Sequence, residues 1–275
     1  MGRKKTGVKI GKIDTDEEFN KKLLEVFAQL RETMNNMDRE LAIKLLYWLN
    51  DWSANYLRNE KNFNYKELMR YKRGSIVEAD FGFNVGSEQG GLHYAIVLDK
   101  YNHKSNKVLL VVSLESLPHD KKPEDLNENY ELFLGYGIFK EDIKKLEKEI
   151  DNLNKKIKQR ENKGTDVTNL KITLSRLQKE LNKLNRGSVA QIAQICALSK
   201  MRIYQPKKMG DRFSEFRLSD DKMKELEEKI FKLYFNKMIE KEKNNDIINS
   251  TKLINESKKT VQCPSGSRLD VSLLF

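Results

Sequence analysis

The stretch from Gly86 to Leu98, GSEQGGLHYAIVL, joins a glycine-framed polar turn to one of the three histidines in the chain. The glycines at 86, 90 and 91 would let backbone amides approach an anion such as a phosphate, because they carry no side chain. His93 follows this turn, and an imidazole with the ordinary pKa of about 6.5 can give or take a proton near neutral pH. Glu88, inside the turn, could share that proton work. These residue types suit chemistry on a phosphate. Alternatively, His93 could be an ordinary surface histidine and Glu88 a structural turn residue.

Two further candidate residues, Lys200 and Arg202, alternate along a predicted strand edge and suit contact with phosphates. A solvated strand face would explain them nearly as well. Over the whole chain Lys and Arg outnumber Asp and Glu by 52 to 41, which gives a formal net charge of +11. This excess predicts a polyanionic partner such as nucleic acid, or an acidic protein, although a lysine-rich proteome explains the charge equally well.

The sequence gives little support for a metal site, a disulfide or a membrane-spanning segment. Cys196 and Cys263 have no paired spacing and no histidine close by, so we expect no zinc site, disulfide framework or cofactor. His103 and His119 lie in loop sequence and are predicted to be surface residues. No apolar run approaches the roughly 20 residues needed to span a bilayer, and the basic first residues lack the apolar run of a signal peptide. We therefore expect a cytoplasmic protein without a membrane partner.

The first 70 residues (1–70) are predicted to form an N-terminal helical extension. From Asp16 onward, apolar residues recur at spacings of three and four, and the segment NNMD at 35–38 predicts a break between two helices. Trp48 and Trp52 lie one turn apart on one helix face. That spacing favours a core stripe over a platform for stacking nucleobases.

Short β-branched or aromatic runs then predict a small, mostly antiparallel sheet or barrel at 71–139 and 187–240. The first part contains four such runs, GSIVEADF, LHYAIVL, KVLLVVSLES and YELFLG. The second part begins with GSVAQIAQICALSKMRIYQP and ends in a closing helix whose N-cap is Ser219. Residues 241–275 are polar and are expected to form a tail that is partly ordered at best.

Residues 140–186 contain two leucine- and isoleucine-rich arms that are mirror images about Gly164. Their apolar positions are Ile143, Leu146, Ile150, Leu153 and Ile157 in the first arm, and Leu170, Leu174, Leu177, Leu181 and Leu184 in the second. This register predicts an antiparallel coiled-coil hairpin. With 14 Lys or Arg against 8 Asp or Glu, the hairpin carries +6 of the net charge. It could contact RNA, bind a partner or hold a dimer together.

Four segments resemble, in order, the MazF/PemK family of toxin–antitoxin endoribonucleases, over roughly half of the chain. They are KRGSIVEADFGFNVGSEQGGLHYAIVL at 72–98, VLLVVSL, GSVAQIAQICALSKMRI and LSDDKMKELEEKI. The resemblance implies an α+β fold with an SH3-like β-barrel of the MazF/PemK/CcdB type, to which this chain adds the helical extension and the hairpin. It also implies a homodimeric toxin, neutralised by a small antitoxin protein, that cleaves single-stranded RNA without a metal. In that reaction a ribose 2′-hydroxyl attacks the adjacent phosphate.

The resemblance assigns roles by position. Family members commonly pair an arginine after the turn with a serine or threonine on the central strand; Ser113 keeps the hydroxyl, whereas His93 stands at the arginine position. We therefore expect His93, Ser113 and Glu88 to be catalytic. The expected RNA contacts are Arg73, Gly86, Ser87, Gln89, Gly90, Gly91, Lys200 and Arg202.

Histidine can transfer a proton but cannot form the bidentate fork that arginine offers a phosphate. The departure at His93 leaves open a catalytically silent RNA- or protein-binding module on the same barrel. A gyrase-poisoning toxin is a third possibility, since that toxin class shares the barrel.

Overall fold

The computed structural model describes residues 7–235, which form an α+β protein with an antiparallel sheet. The helices are α1 (Asp16–Asn36), α2 (Arg39–Asp51), α3 (Lys140–Glu161), α4 (Thr168–Asn185) and α5 (Asp220–Tyr234). The strands are β1 (Ile76–Asp80), β2 (Leu92–Val97), β3 (Val108–Ser116), β4 (Glu131–Gly135), β5 (Ser188–Gln191), β6 (Cys196–Ser199) and β7 (Ile203–Gln205). The chain divides between Met223 and Lys224, inside α5, into two units. Within 7–235, no helix is both long and apolar enough to cross a membrane.

The two predicted N-terminal helices are confirmed, with the break where the sequence places it. Thr15 begins α1 through a capping box, in which the Glu18 backbone N–H donates to Thr15 Oγ1 at 3.2 Å and the Glu18 carboxylate accepts from the Thr15 N–H at 3.3 Å. Asp38 caps α2 by accepting from the Leu41 N–H at 3.0 Å. Such caps satisfy amides that have no partner inside the helix. After α2 the chain continues as a π-helical turn, Trp52–Leu57.

The sheet has the order β4-β5-β3-β2-β1-β7, and all its pairings are antiparallel. The long strand β3 is central, because its first half also pairs with β6 and its second half pairs with β5. The strands predicted from the β-branched runs are confirmed. Their inward-facing residues form the core with the segment before β1, and this core contains Leu68, Tyr71, Val77, Ala79, Phe81, Ala95, Val97, Leu109, Val111, Leu198 and Ile203.

The predicted strand edge at Lys200 and Arg202 is wrong. These residues form a 3-10 turn, Lys200–Arg202, that connects β6 to β7. Ser199 caps the turn by accepting from the Met201 backbone N–H at 3.3 Å, a local bond that competes with strand pairing.

The helices α3 and α4 contact each other and are joined by a short loop that contains Gly164, whose φ is +66°. All ten apolar positions of the two predicted arms are buried or half-buried. The helix pair is inserted between β4 and β5, which are neighbours in the sheet. Its two ends therefore leave from adjacent strands.

The closing helix begins as predicted, because Ser219 Oγ accepts from the Lys222 backbone N–H at 3.4 Å. The described part of this helix, α5, ends at Tyr234. The predicted tail at 241–275 and Cys263 lie outside the described residues.

Candidate functional site

Gln89 connects the two side chains that the resemblance assigns to catalysis. Its side-chain nitrogen lies 2.9 Å from His93 Nε2, and its side-chain oxygen accepts from Ser113 Oγ at 3.3 Å. His93 lies two residues before Ala95 on β2, and Ala95 is paired with Ser113 on β3. Since side chains two apart on a strand share a face, this register places His93 and Ser113 on the same face of the sheet.

The orientation of the Gln89 amide fixes the tautomer of His93. Because its oxygen accepts from Ser113, its nitrogen is the group that faces the imidazole, and it can only donate. His93 Nε2 then accepts, so a neutral imidazole carries its proton on Nδ1. A second proton on the ring would require the amide to turn over and present its oxygen to His93. The protonation of His93 and the orientation of Gln89 are thus coupled.

Ser113 does not reach the surface of the site. Its side chain has an exposed fraction of 0% and donates its hydroxyl proton to Gln89. The expectation that this hydroxyl contacts the reacting phosphate is therefore not met. Its role in this geometry is to orient Gln89.

Three backbone amides of the glycine turn, those of Glu88, Gln89 and Gly91, already donate within the protein and are not open to a phosphate. The Gln89 N–H donates to Gln194 Oε1 at 3.0 Å, and the Gly91 N–H donates to the Gly82 carbonyl at 2.7 Å. The Glu88 N–H contacts the Val85 carbonyl at 3.4 Å. A Cβ on Gly90 would lie 2.9 Å from that Gly82 carbonyl oxygen. Gly90 therefore lets two backbone segments pack closely, because it carries no side chain.

Gln194 holds the turn from the other side. Besides accepting from Gln89, it donates to the Ser87 carbonyl at 2.8 Å. Gln194 was not predicted to be a site residue, although it occupies the second glutamine position of the family-like segment GSVAQIAQI. Gly86 has a φ of +67° and lies at the exposed end of the turn.

His93 lines a cavity of about 580 Å³ between the sheet and α4. Four cations of the α4 region also line it, namely Arg176, Lys179, Lys183 and Arg186. Its carboxylates are Glu78, Glu115 and Glu180, of which Glu180 is already paired with Arg212. Among residues 7–235, the buried Arg186 Nε has no hydrogen-bond partner. Four cations around one cavity suit a phosphate group. Because Tyr94 directs its hydroxyl to Glu180 of α4, the imidazole of the adjacent His93 lies on the other face of β2, and His93 borders this cavity from the strand.

A hydrogen-bonded network fixes α3 and α4 to the wall of this cavity. Arg212 contacts Glu180 of α4 and also contacts Asp142 of α3 at 3.2 Å. Glu180 accepts from the Tyr94 hydroxyl at 3.2 Å. Burial raises the pKa of the Tyr94 hydroxyl above its ordinary value. Because the network joins both helices to β2, it determines where the α4 cations lie relative to His93.

Glu78 is the carboxylate in this cavity whose ionisation is most changed by its surroundings. Burial raises the pKa of its side chain, and the negative charge of Glu180 acts in the same direction. A hydrogen bond from the Gln205 side chain at 2.5 Å opposes the shift. Glu78 thus holds a proton to higher pH than an exposed glutamate.

Glu88 lies in a different place from His93. Its exposed side chain lines a larger cavity of about 1100 Å³ together with Gly90, Gly91 and Arg202. The Arg202 guanidinium donates to the Phe81 carbonyl at 2.9 Å and lies 6.0 Å from the centre of the Tyr56 ring. The structure therefore does not bring the three predicted catalytic residues together in one cavity.

Two of the predicted RNA contacts are not on the candidate surface. Lys200 is 2% exposed, and its ammonium group donates to the His103 carbonyl at 3.3 Å. Burial lowers the pKa of Lys200, as expected for an ammonium group removed from water. Arg73 precedes β1, at the end of the β1–β2 ladder opposite to His93, because Gly74 donates to Val97 and Ala79 pairs with His93.

Sequence reasoning also missed Arg186, Tyr94 and the cations of α4 as members of the site. The charge excess of 140–186 was a signal for the cations. The sequence could not show which of them face His93, since that depends on how the helix pair meets the sheet. Arg186 directly precedes the family-like segment GSVAQ, and this position was the available clue.

The chain matches no protein-family model, and no curated protein sequence matches it. The family resemblance thus depends on the motif residues themselves. Within the described part of the chain, no group of three or more His, Cys, Asp or Glu side chains could hold a metal ion.

Proposed function

We propose that this protein is a toxin-like endoribonuclease that cleaves single-stranded RNA by attack of a 2′-hydroxyl on the adjacent phosphate. The observation that supports this best is that His93, oriented by Gln89, forms part of the wall of a cavity that four cations of the α4 region also line. The proposal includes a homodimeric, cytoplasmic toxin that a small antitoxin protein neutralises. These partners follow from the family resemblance.

The proposed fold is an SH3-like barrel with an inserted antiparallel coiled coil. In support of the barrel, β6 pairs with β3 and β7 pairs with β1, and only the three-residue turn Lys200–Arg202 separates β6 from β7. The consecutive strands β6 and β7 therefore connect β3 and β1, the two outer strands of the β1–β2–β3 meander. In support of the coiled coil, the apolar positions of α3 and α4 are the less exposed ones and the helices contact each other.

The proposed reaction assigns each residue a separate task. His93 removes the 2′-hydroxyl proton through Nδ1, the ring nitrogen that Gln89 does not contact, once Gln89 has turned over so that its oxygen accepts the Nε2 proton, and water protonates the leaving 5′-oxygen. Arg186 supplies the bidentate contact to the phosphate that the family places at the position of His93. The lysines of α4 hold the neighbouring phosphates. Ser113 acts through Gln89.

The test is cleavage of a single-stranded RNA in the presence of EDTA. We expect a 2′,3′-cyclic phosphate and a 5′-hydroxyl as products. His93→Ala and Arg186→Gln should each lower the rate by about 100-fold, since each removes a group that acts only in the transition state. The matched control is His119→Ala, because His119 is exposed and lines neither cavity. Equal rates for His93→Ala and the parent protein would refute the assignment of His93.

A catalytically silent RNA-binding module is the second candidate, and two observations favour it. Ser113 is buried, and the amides of Gln89 and Gly91 are already occupied. RNA binding without any cleavage by the parent protein would support this candidate over the nuclease.

A further inference from the structure

The larger cavity has one of the two tryptophans in its wall and the other directly behind it. Trp48 lines it, and the ring of Trp52 stacks on Trp48 with centroids 5.5 Å apart and planes at 11°. A Cβ on Gly82 would lie 3.0 Å from Trp48 Nε1, so the indole lies directly against the backbone beneath the glycine turn. Trp52 remains 37% exposed. The tryptophans are therefore not the closed core stripe that their spacing predicts.

The other groups around this cavity suit a planar, uncharged ring. Tyr47 and Tyr204 line it with exposed side chains, and Tyr56 and Phe83 add two further aromatic rings. Its cations are Lys44, Arg202 and Lys207, and its carboxylates are Asp51, Asp80 and Glu88, so the formal charges cancel. Aromatic faces bind bases by stacking, whereas a cavity without net charge has little preference for a phosphate.

One polar atom in the cavity wall lacks a partner. Trp48 Nε1 is buried, and no hydrogen-bond acceptor meets it among residues 7–235. An indole N–H is a donor only, and this one lies against the Gly82 backbone, so the aromatic faces and not this group meet a ligand in the cavity.

We propose that this cavity binds an unstacked base of a single-stranded RNA. The inference rests on the proposed function for its choice of ligand. The glycine turn connects the two cavities, because Gly90 and Gly91 line the larger one, Gln89 contacts His93, and Leu92 lines both. A strand crossing the turn places one base between the aromatic rings while a phosphate lies beside His93 and Arg186. The N-terminal helices thereby contribute to the selection of the sequence that is cut.

Intrinsic fluorescence tests this proposal, since Trp48 lines this cavity and Trp52, the second tryptophan of the chain, stacks on it. The probe is an oligouridylate of about ten nucleotides, compared with an abasic ribose-phosphate oligomer of equal length. We use His93→Ala protein, so that cleavage does not consume the probe. The oligouridylate should quench the emission in a saturable manner, and the abasic oligomer should not.

A pair of tyrosine variants locates the contact. Tyr47→Ala should weaken binding of the oligouridylate by about tenfold, the usual effect of losing one stacking partner. Tyr101→Ala is the matched control, because Tyr101 is similarly exposed and does not line the cavity. Both positions are on the surface, so neither change should impair folding.

The outcomes separate this inference from the proposed function. Suppose that the parent protein cleaves RNA but the oligouridylate does not quench the emission, or quenches it no more than the abasic oligomer does. This result overturns the base site and does not affect the nuclease proposal. Suppose instead that the parent protein cleaves no RNA and that only the oligouridylate quenches the emission in a saturable manner. This result supports the base site and overturns the nuclease proposal. Equal affinities for Tyr47→Ala and Tyr101→Ala would also overturn the site.

Discussion

At the scale of single residues, Gln89 decides how His93 and Ser113 act, because its one amide group contacts both. We predict that Gln89→Met, which keeps the length of the side chain and removes both bonds, lowers RNA cleavage by about tenfold. Ser113→Ala removes one bond and should have a smaller effect.

The measurement for Gln89 is the rate of cleavage as a function of pH. The amide nitrogen donates to Nε2 of the neutral imidazole, and the amide must turn over before Nε2 can carry a proton, so loss of the amide should change how the rate depends on pH. A uniform decrease at every pH would show that Gln89 acts only on the stability of the turn.

Glu78 predicts a specific dependence of stability on pH. Its pKa is raised mainly by burial, so the folded protein binds this proton more tightly than the unfolded chain. The resulting stabilisation is complete below the unfolded pKa of about 4.3 and is lost as the pH rises through the folded pKa. The free energy of unfolding of Glu78→Gln, measured with urea, should therefore increase relative to that of the parent as the pH rises from 4 to 7.

The control for Glu78 is Glu124→Gln, which removes the same charge from an exposed loop position. It should show no such gain with pH. A constant difference between Glu78→Gln and the parent at all pH values would contradict the prediction.

At the scale of elements, Arg212 fixes the helix pair to the sheet. We predict that Arg212→Met lowers the free energy of unfolding by roughly 2 kcal/mol, because the carboxylate of Asp142, only 7% exposed, loses its cation. Adding Asp142→Asn and Glu180→Gln should recover most of this loss, since the cost lies in the unpaired charges.

Lys144→Met is the matched control for Arg212. It breaks a surface ion pair with Glu141 on the same helix, in which both side chains are more than half exposed, and such pairs contribute little. Failure of the triple variant to recover stability would mean that Arg212 acts through its packing on the Phe213 ring, which lies 4.6 Å away.

The cations of α4 lead us to predict how the affinity for RNA depends on salt concentration. Lys179→Gln with Lys183→Gln removes two phosphate contacts from the His93 cavity. The slope of log affinity for RNA against log salt concentration should become shallower by about 1.4, or about 0.7 for each contact. Lys155→Gln with Lys158→Gln is the control, since these lysines lie on α3 outside the cavity. Equal slopes for the two double variants would place the RNA elsewhere.

At the scale of the whole molecule, α1 contributes little to the stability of the sheet, because none of its residues is buried. Removal of residues 1–37 should change the free energy of unfolding by no more than about 0.5 kcal/mol, the usual range for surface changes. Removal of residues 1–58 should be more costly, because it takes away Trp48 and Tyr56 and exposes the glycine turn. Thermal unfolding of the two truncated proteins, compared with the parent, measures both effects.

The fold was more predictable from sequence than the site. The helix caps at Thr15 and Asp38, the strands, and the apolar arms about Gly164 depend on local patterns of two to four residues, which a sequence displays directly. The burial of Ser113 and Lys200, and the position of Glu88 away from His93, depend on contacts between distant segments. A motif shows which residue types are present but not which of them face the same cavity.

Three polar residues illustrate that limit. Gln89 and Gln194 looked like turn and strand residues, yet one joins two predicted catalytic side chains and the other holds the turn in place. The sequence signals for Arg186 were its charge and its position before the segment GSVAQ. Its place in the site follows from the packing of α4 against the sheet.

The insertion of α3 and α4 between paired neighbouring strands has a mechanical consequence. Gly135 of β4 is paired with Ser188 of β5, and this pair is the rung of the ladder nearest to the helices. A force that pulls α3 and α4, which the loop at Gly164 joins, away from each other therefore acts on that pair first. The paired residues of β4 and β5 then separate one pair after another. A force along β4 and β5 instead loads all of these pairs in shear at once, so the ladder should yield at a lower force when it is pulled apart through the two helices.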